Sequence, residues 1–136
     1  MTATRNLRDD LFVAGPPPRL LGSRCRETGE LFYPVQVMNP VTHRAGTMET
    51  CELEGTGRLL NFTRIHRGMP GYDSPLVLGI VELDAGPTLT AQITDCAGTD
   101  LHIGQRLDLV IGTIRTDPDG TRVLGPKFRP IKDENL

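Results

Sequence analysis

At 136 residues, 38% of them hydrophobic, the chain can bury one core without covalent staples. Its three cysteines, Cys25, Cys51 and Cys96, are odd in number and far apart. That argues against a disulfide framework and fits a reducing compartment, the cytoplasm. A formal charge of −2, no Trp and only 4% aromatic residues leave no broadly basic, base-stacking surface for nucleic acid.

The first ten residues carry no apolar stretch of the kind a secretory signal needs, and no apolar run is long enough to span a bilayer. Leu7 and Leu11 are four apart behind Thr4, a possible cap, which predicts a short helix over residues 4–14. Gly15-Pro-Pro-Pro18 ends it, because three consecutive prolines cannot continue a helix. Residues 1–18 are therefore read as an N-terminal helix and a Pro-rich linker.

Residues 19–37 read as two strands joined by a knuckle near Thr28-Gly29. A zinc ribbon has this layout, with Cys-x-x-Cys at each of two knuckles. Here the first knuckle pairs Cys25 with Thr28. At the would-be second knuckle, Asn39 and Thr42 stand at the same spacing without thiols. A tetrahedral zinc site needs four S, N or O donors. Cys25, with His43 as a doubtful second, does not make one, so no metal is expected. The whole segment 19–50 is read as a degenerate, zinc-ribbon-like unit. Cys25 reads as an inert remnant rather than a nucleophile, and Cys51 and Cys96 as packing residues.

Residues 51–136 read as all β. Five apolar runs, 58–66, 76–83, 88–94, 106–115 and 122–128, are rich in Val, Ile, Leu and Thr and separated by turn residues. Asp84-Ala-Gly-Pro87 and Asp117-Pro-Asp-Gly120 are hairpin turns. A longer connection, 95–104, separates the third and fourth strands. Five short strands so arranged predict an OB-type barrel, and the fold class is mainly β.

Four segments carry a resemblance. The ribbon has Arg19-Leu-Leu-Gly-Ser-Arg-Cys25, Gly29 and Phe32-Tyr-Pro34. The first barrel strand has Gly55-Thr-Gly57, Asn61-Phe-Thr63 and His66. The second has Pro75-Leu-Val-Leu-Gly-Ile-Val-Glu-Leu83 and Gly86. The end has Ile103-Gly104 and Phe128-Arg-Pro130. In this order and spacing they resemble the acyl-CoA-associated OB-fold proteins, which join an N-terminal helix, a rubredoxin-like zinc ribbon and an OB barrel. The family pattern has four ribbon cysteines, of which this chain keeps one.

The resemblance implies an accessory subunit of a thiolase-fold or ketosynthase-like enzyme, with acyl-CoA as a shared ligand and the catalytic cysteine on the partner. It implies no catalytic residue on this chain. Candidates to contact substrate or CoA phosphates are Arg64, His66, Arg67, Lys127 and Arg129, with Met69 and Tyr72 on the loop 68–75. That loop reads equally as a contact surface and as a connection without function. The apolar segment 31–38, with Phe32, Tyr33, Val35 and Met38, is the expected partner interface, because a thin ribbon cannot bury it all. Two other readings remain: an OB-fold nucleic-acid module, and a stand-alone acyltransferase or thioesterase, for which no base–nucleophile pair is visible.

Overall fold

The computed structural model describes residues 3–8, 10–66, 70–72, 75–95 and 101–131. Among them are ten strands and no helix. Five are short or belong to the N-terminal half: β1 (Thr4–Asn6), β2 (Phe12–Val13), β3 (Arg19–Cys25), β4 (Leu31–Phe32) and β5 (Met48–Leu53). The others are β6 (Thr56–Ile65), β7 (Leu76–Leu83), β8 (Thr88–Ile93), β9 (Arg106–Thr116) and β10 (Arg122–Pro130).

The last five strands close on themselves. β6 pairs antiparallel with β7, and β7 with β8. β8 runs parallel to the end of β10, Gln92 opposite Lys127. β10 pairs with β9 along its length, and β9 returns to the start of β6, Asp108 opposite Thr56. This is the OB-type barrel the apolar runs predicted, with strand bounds shifted by no more than two residues. The turn Asp117–Gly120 closes the β9–β10 hairpin, its Gly120 N–H donating to Asp117 O at 2.9 Å.

The N-terminal helix is not formed. β1 lies parallel to β10, with Thr4–Asn6 opposite Arg122–Leu124, and Leu7 N–H donates to Leu124 O at 2.8 Å. A helix of this length is marginal in water on its own. The free half of β10 offers the same backbone groups a ready ladder, and the residues that suggested a helix face end up elsewhere. Leu11 and Phe12 are buried, and Leu11 O accepts from Leu21 N–H at 2.9 Å.

A second sheet holds β2, β3, β4 and β5 around β3. The ribbon's second strand is shorter than the sequence suggested, because Pro34 has no N–H to continue a ladder. Ser23 takes over: its buried hydroxyl accepts from Gln36 N–H at 2.7 Å. The longer partner of β3 is β5, paired over six residues from Leu20–Leu53 to Cys25–Met48, which the sequence reading had not singled out.

The two sheets share one core. Leu20 of β3 and Leu53 of β5 belong to the same buried cluster as Leu59, Val81, Leu83, Leu107 and Phe128 of the barrel. No helix among the described residues is long and apolar enough to cross a membrane.

Because the core is common, Leu20→Ala, at a fully buried position, is expected to cost about 2–5 kcal/mol. In urea followed by circular dichroism, ribbon and barrel should be lost in a single shifted transition. A separate early ribbon transition would show that the two sheets fold independently.

Candidate functional site

The first knuckle is a turn closed by Gly29 N–H to Cys25 O at 2.7 Å, and it leaves the Cys25 side chain fully buried. The sulfur is surrounded by hydrogen-bond donors. The Thr28 hydroxyl and then the Thr28 backbone N–H do most to pull the thiol down to about 6, helped by Asn39 and Thr47, while burial opposes them. Thr47 Oγ1 lies 3.7 Å from the sulfur.

Asn39 completes the picture from the second knuckle. Its Oδ1 accepts from the N–H groups of Val41 at 2.8 Å and Thr42 at 3.2 Å. Its backbone N–H donates to Arg44 O, and its own carbonyl accepts from His43 N–H. Its Nδ2 is buried without a hydrogen-bond partner, and the side chain adds to the lowering of the Cys25 thiol.

The residues present do not fit a zinc ion. One thiol remains, the Asn39 oxygen is already committed to two backbone donors, and its amide nitrogen is no metal ligand. Among the described residues no group of three His, Cys, Asp or Glu side chains could hold a metal. Around the sulfur stand Thr28 of its own knuckle and Thr47, just before β5.

The other candidate residues divide into two places. Lys127 and Arg129 lie two apart on β10 and line a polar groove of about 580 Å³ beside β9. Arg129 also reaches a second cleft of about 380 Å³ between Pro17-Pro18 and the barrel. Its guanidinium is engaged by Asp108 across the β9–β10 ladder at 3.0 Å. Arg64 and His66 line neither cavity. Arg64 sits over the Phe62 ring at 5.6 Å, and His66 is exposed just past β6.

Arg67 and Met69 fall outside the described residues, as does Cys96. Tyr72 is half-buried and supports Arg115, whose guanidinium is held above its usual range first by Asp117. Gly71 ties the loop to the barrel: Thr116 N–H donates to Gly71 O at 2.7 Å. Its φ of +87° and the Thr116 oxygen 2.5 Å from where a Cβ would stand leave room for glycine alone. The sequence reading missed Arg122 and Thr113, which share the groove with Lys127. Only the position of Arg122 at a strand start could have pointed to it.

The apolar ribbon segment is partly turned inward. Tyr33 packs against the common core, and burial pushes its hydroxyl up to about 12. Phe32 and Val35 are half-buried. The outward apolar side chains are Met38 and its neighbours Val37, 86% exposed, and Val41, 66% exposed.

A "DUF35 domain-containing scaffold protein" of Methanocaldococcus jannaschii is 32% identical over 84% of this chain and 83% of its own length. The chain belongs to the DUF35 family. The model of the ChsH2 C-terminal OB-fold domain matches residues 51–112. Another relative is the benzoylsuccinyl-CoA thiolase subunit BbsA of Thauera aromatica, 29% identical over 86% of this chain and 80% of that one. Among solved structures, an Ltp2–ChsH2(DUF35) aldolase chain superposes with a TM-score of 0.66 at 28% identity, over 82% of this chain and 84% of that one. This family membership confirms the resemblance read from the four sequence segments.

The lowered Cys25 thiol makes a pH prediction. The folded-state value of Cys25, about 6, lies below its ordinary 9.0. Between these values the unfolded chain binds more protons, so this thiol stabilises the fold increasingly as pH rises, and the contribution is lost as pH falls through about 6. Cys51 is pushed up by burial and acts in the opposite sense. The measurement is therefore the difference between the parent and Cys25→Ser in thermal unfolding from pH 6 to 9. Its slope should favour the parent at high pH, whereas a flat difference would show that Cys25 is an ordinary thiol. The same preparation should hold far less than one zinc per chain by elemental analysis.

Proposed function

We propose that this DUF35 chain is a non-catalytic accessory subunit of an acyl-CoA-processing complex, seated against a thiolase-type partner. The observation that carries this is family-wide. Relatives that match most of its length are named as a scaffold protein, a benzoylsuccinyl-CoA thiolase subunit and a component of an Ltp2 aldolase. The chain's own chemistry agrees. Among the described residues, Cys25 is the thiol with a lowered pKa, and it is sealed from solvent, where it cannot reach a thioester. The nucleophile for carbon–carbon bond formation or cleavage then belongs to the partner, and this chain contributes surface.

Val37, Met38 and Val41 supply an apolar edge on the second knuckle, rimmed by the exposed Arg44–Glu27 ion pair. Single exposed apolar groups are ordinary, but three on one knuckle of a chain from a family of subunits support a contact with the partner. Free thiols at Cys25 and Cys51 support a reducing compartment, the cytoplasm, as the place of assembly.

The test is co-expression with a thiolase-type protein encoded beside this chain. A stable complex should co-purify, and the isolated chain should not turn over acyl-CoA thioesters. Met38→Asp combined with Val41→Asp should weaken the complex at least tenfold while the circular dichroism spectrum is unchanged. Thioester turnover by the isolated chain, or co-purification untouched by both substitutions, would remove respectively the accessory role and this interface.

A further inference from the structure

The groove along β9 and β10 contains two cations, Lys127 and Arg122, that form no carboxylate ion pair among the described residues. Its origin is a bulge. The β9–β10 register passes from Val123 opposite Arg115 to Leu124 opposite Thr113, which leaves Ile114 unopposed. A bulge frees backbone groups from the ladder, and here side chains satisfy them. Gln92 Nε2 donates to Ile114 O at 2.9 Å, and Lys127 Nζ donates to Thr113 O at 3.1 Å.

The two repairs differ in kind. An amide suffices for Ile114. For the adjacent carbonyl the chain uses the ammonium of Lys127, a residue whose stem is largely buried while it lines the groove. Its stem lies over Gly112, where a Cβ would stand 3.2 Å from Lys127 Cδ. Arg122 converges on the same residue, with Nε at 2.9 Å and Nη2 at 2.7 Å from Thr113 Oγ1. Among the described residues, every carboxylate ion pair involves another arginine, and neither Lys127 nor Arg122 has one. Arg129, the third cation lining the groove, is answered by Asp108. The groove's own carboxylate lining is Asp95.

A neutral donor closes the neighbouring Ile114 carbonyl, so the charge of Lys127 exceeds what the bulge itself needs. The excess charge has a use if an anion occupies the groove. A fork-shaped guanidinium and a point ammonium on one side of a polar groove match the several oxygens of a phosphoryl group better than a single carboxylate. We propose that the β9–β10 groove is a binding site for a phosphate-type oxyanion, held between Lys127 Nζ and the Arg122 guanidinium beside Thr113. Two sources share this chemistry: free phosphate or diphosphate, and the nucleotide phosphates of a CoA thioester. The second source rests on the proposed accessory role; the anion site itself does not.

The test is calorimetric titration of the full chain with inorganic phosphate, pyrophosphate, adenosine 3′,5′-bisphosphate, CoA and dephospho-CoA. Lys127→Gln keeps a donor for Thr113 O and removes the charge, and Arg122→Gln does the same at an exposed position. Saturable binding that weakens at least tenfold in each variant, with circular dichroism and melting temperature unchanged, supports the site. CoA and the bisphosphate binding more tightly than dephospho-CoA would assign it to the nucleotide 3′-phosphate. Pyrophosphate binding as tightly as CoA would assign it to the free anion. No saturable binding of any probe, or equal binding by parent and both variants, overturns the proposal. If the anion binds but no thiolase-type partner co-purifies, the site stands and the accessory role falls.

Discussion

Leu20 and Leu53 join the two sheets, and much of the molecule depends on that junction. They are nearly or fully buried, one on β3 and the other directly opposite it on β5, and both enter the barrel's core. Burying a leucine is worth about 1.5–3 kcal/mol. A second sheet anchored in this way shares the barrel's core, and its knuckles pack around the buried Cys25 sulfur, whose partners include Thr28, Asn39 and Thr47.

The barrel was legible because its strands are apolar runs bounded by turn residues. β7 appears at the bounds read from its sequence, and the other four barrel strands differ only at their ends. The N-terminal segment was misread because its pairing partner, β10, lies more than a hundred residues downstream, beyond any local pattern. β5 was overlooked for a related reason: Met48-Glu-Thr-Cys-Glu-Leu53 is half charged or polar, with an exposed outer row, and only its match to β3 makes it a strand. The groove was half seen. Lys127 and Arg129 could be named as cations, but the burial of Lys127 and Arg122's convergence follow from a bulge at Ile114 that no residue type announces.

The second sheet and the barrel present two surfaces of different character. The outer edge of the second knuckle is apolar, and the β9–β10 groove is cationic. Between them Arg129 touches both the groove and the cleft beside the proline linker, yet it is neutralised by Asp108. A subunit without its own nucleophile can still shape chemistry by such surfaces, since positioning and exclusion of water act on whatever active site adjoins them.

β1 has a role beyond replacing an expected helix. In a closed barrel each strand has two neighbours, but β10 is longer than its contact with β8, so the half spanning Arg122–Leu124 would present bare N–H and C=O groups. Such a rim invites strands from other molecules. Three residues of β1, pinned by the Arg5–Asp117 ion pair at 3.0 Å, occupy it from within the same chain. The N-terminal segment thus serves as a self-supplied guard against promiscuous strand pairing, leaving association to side-chain surfaces that can choose a partner.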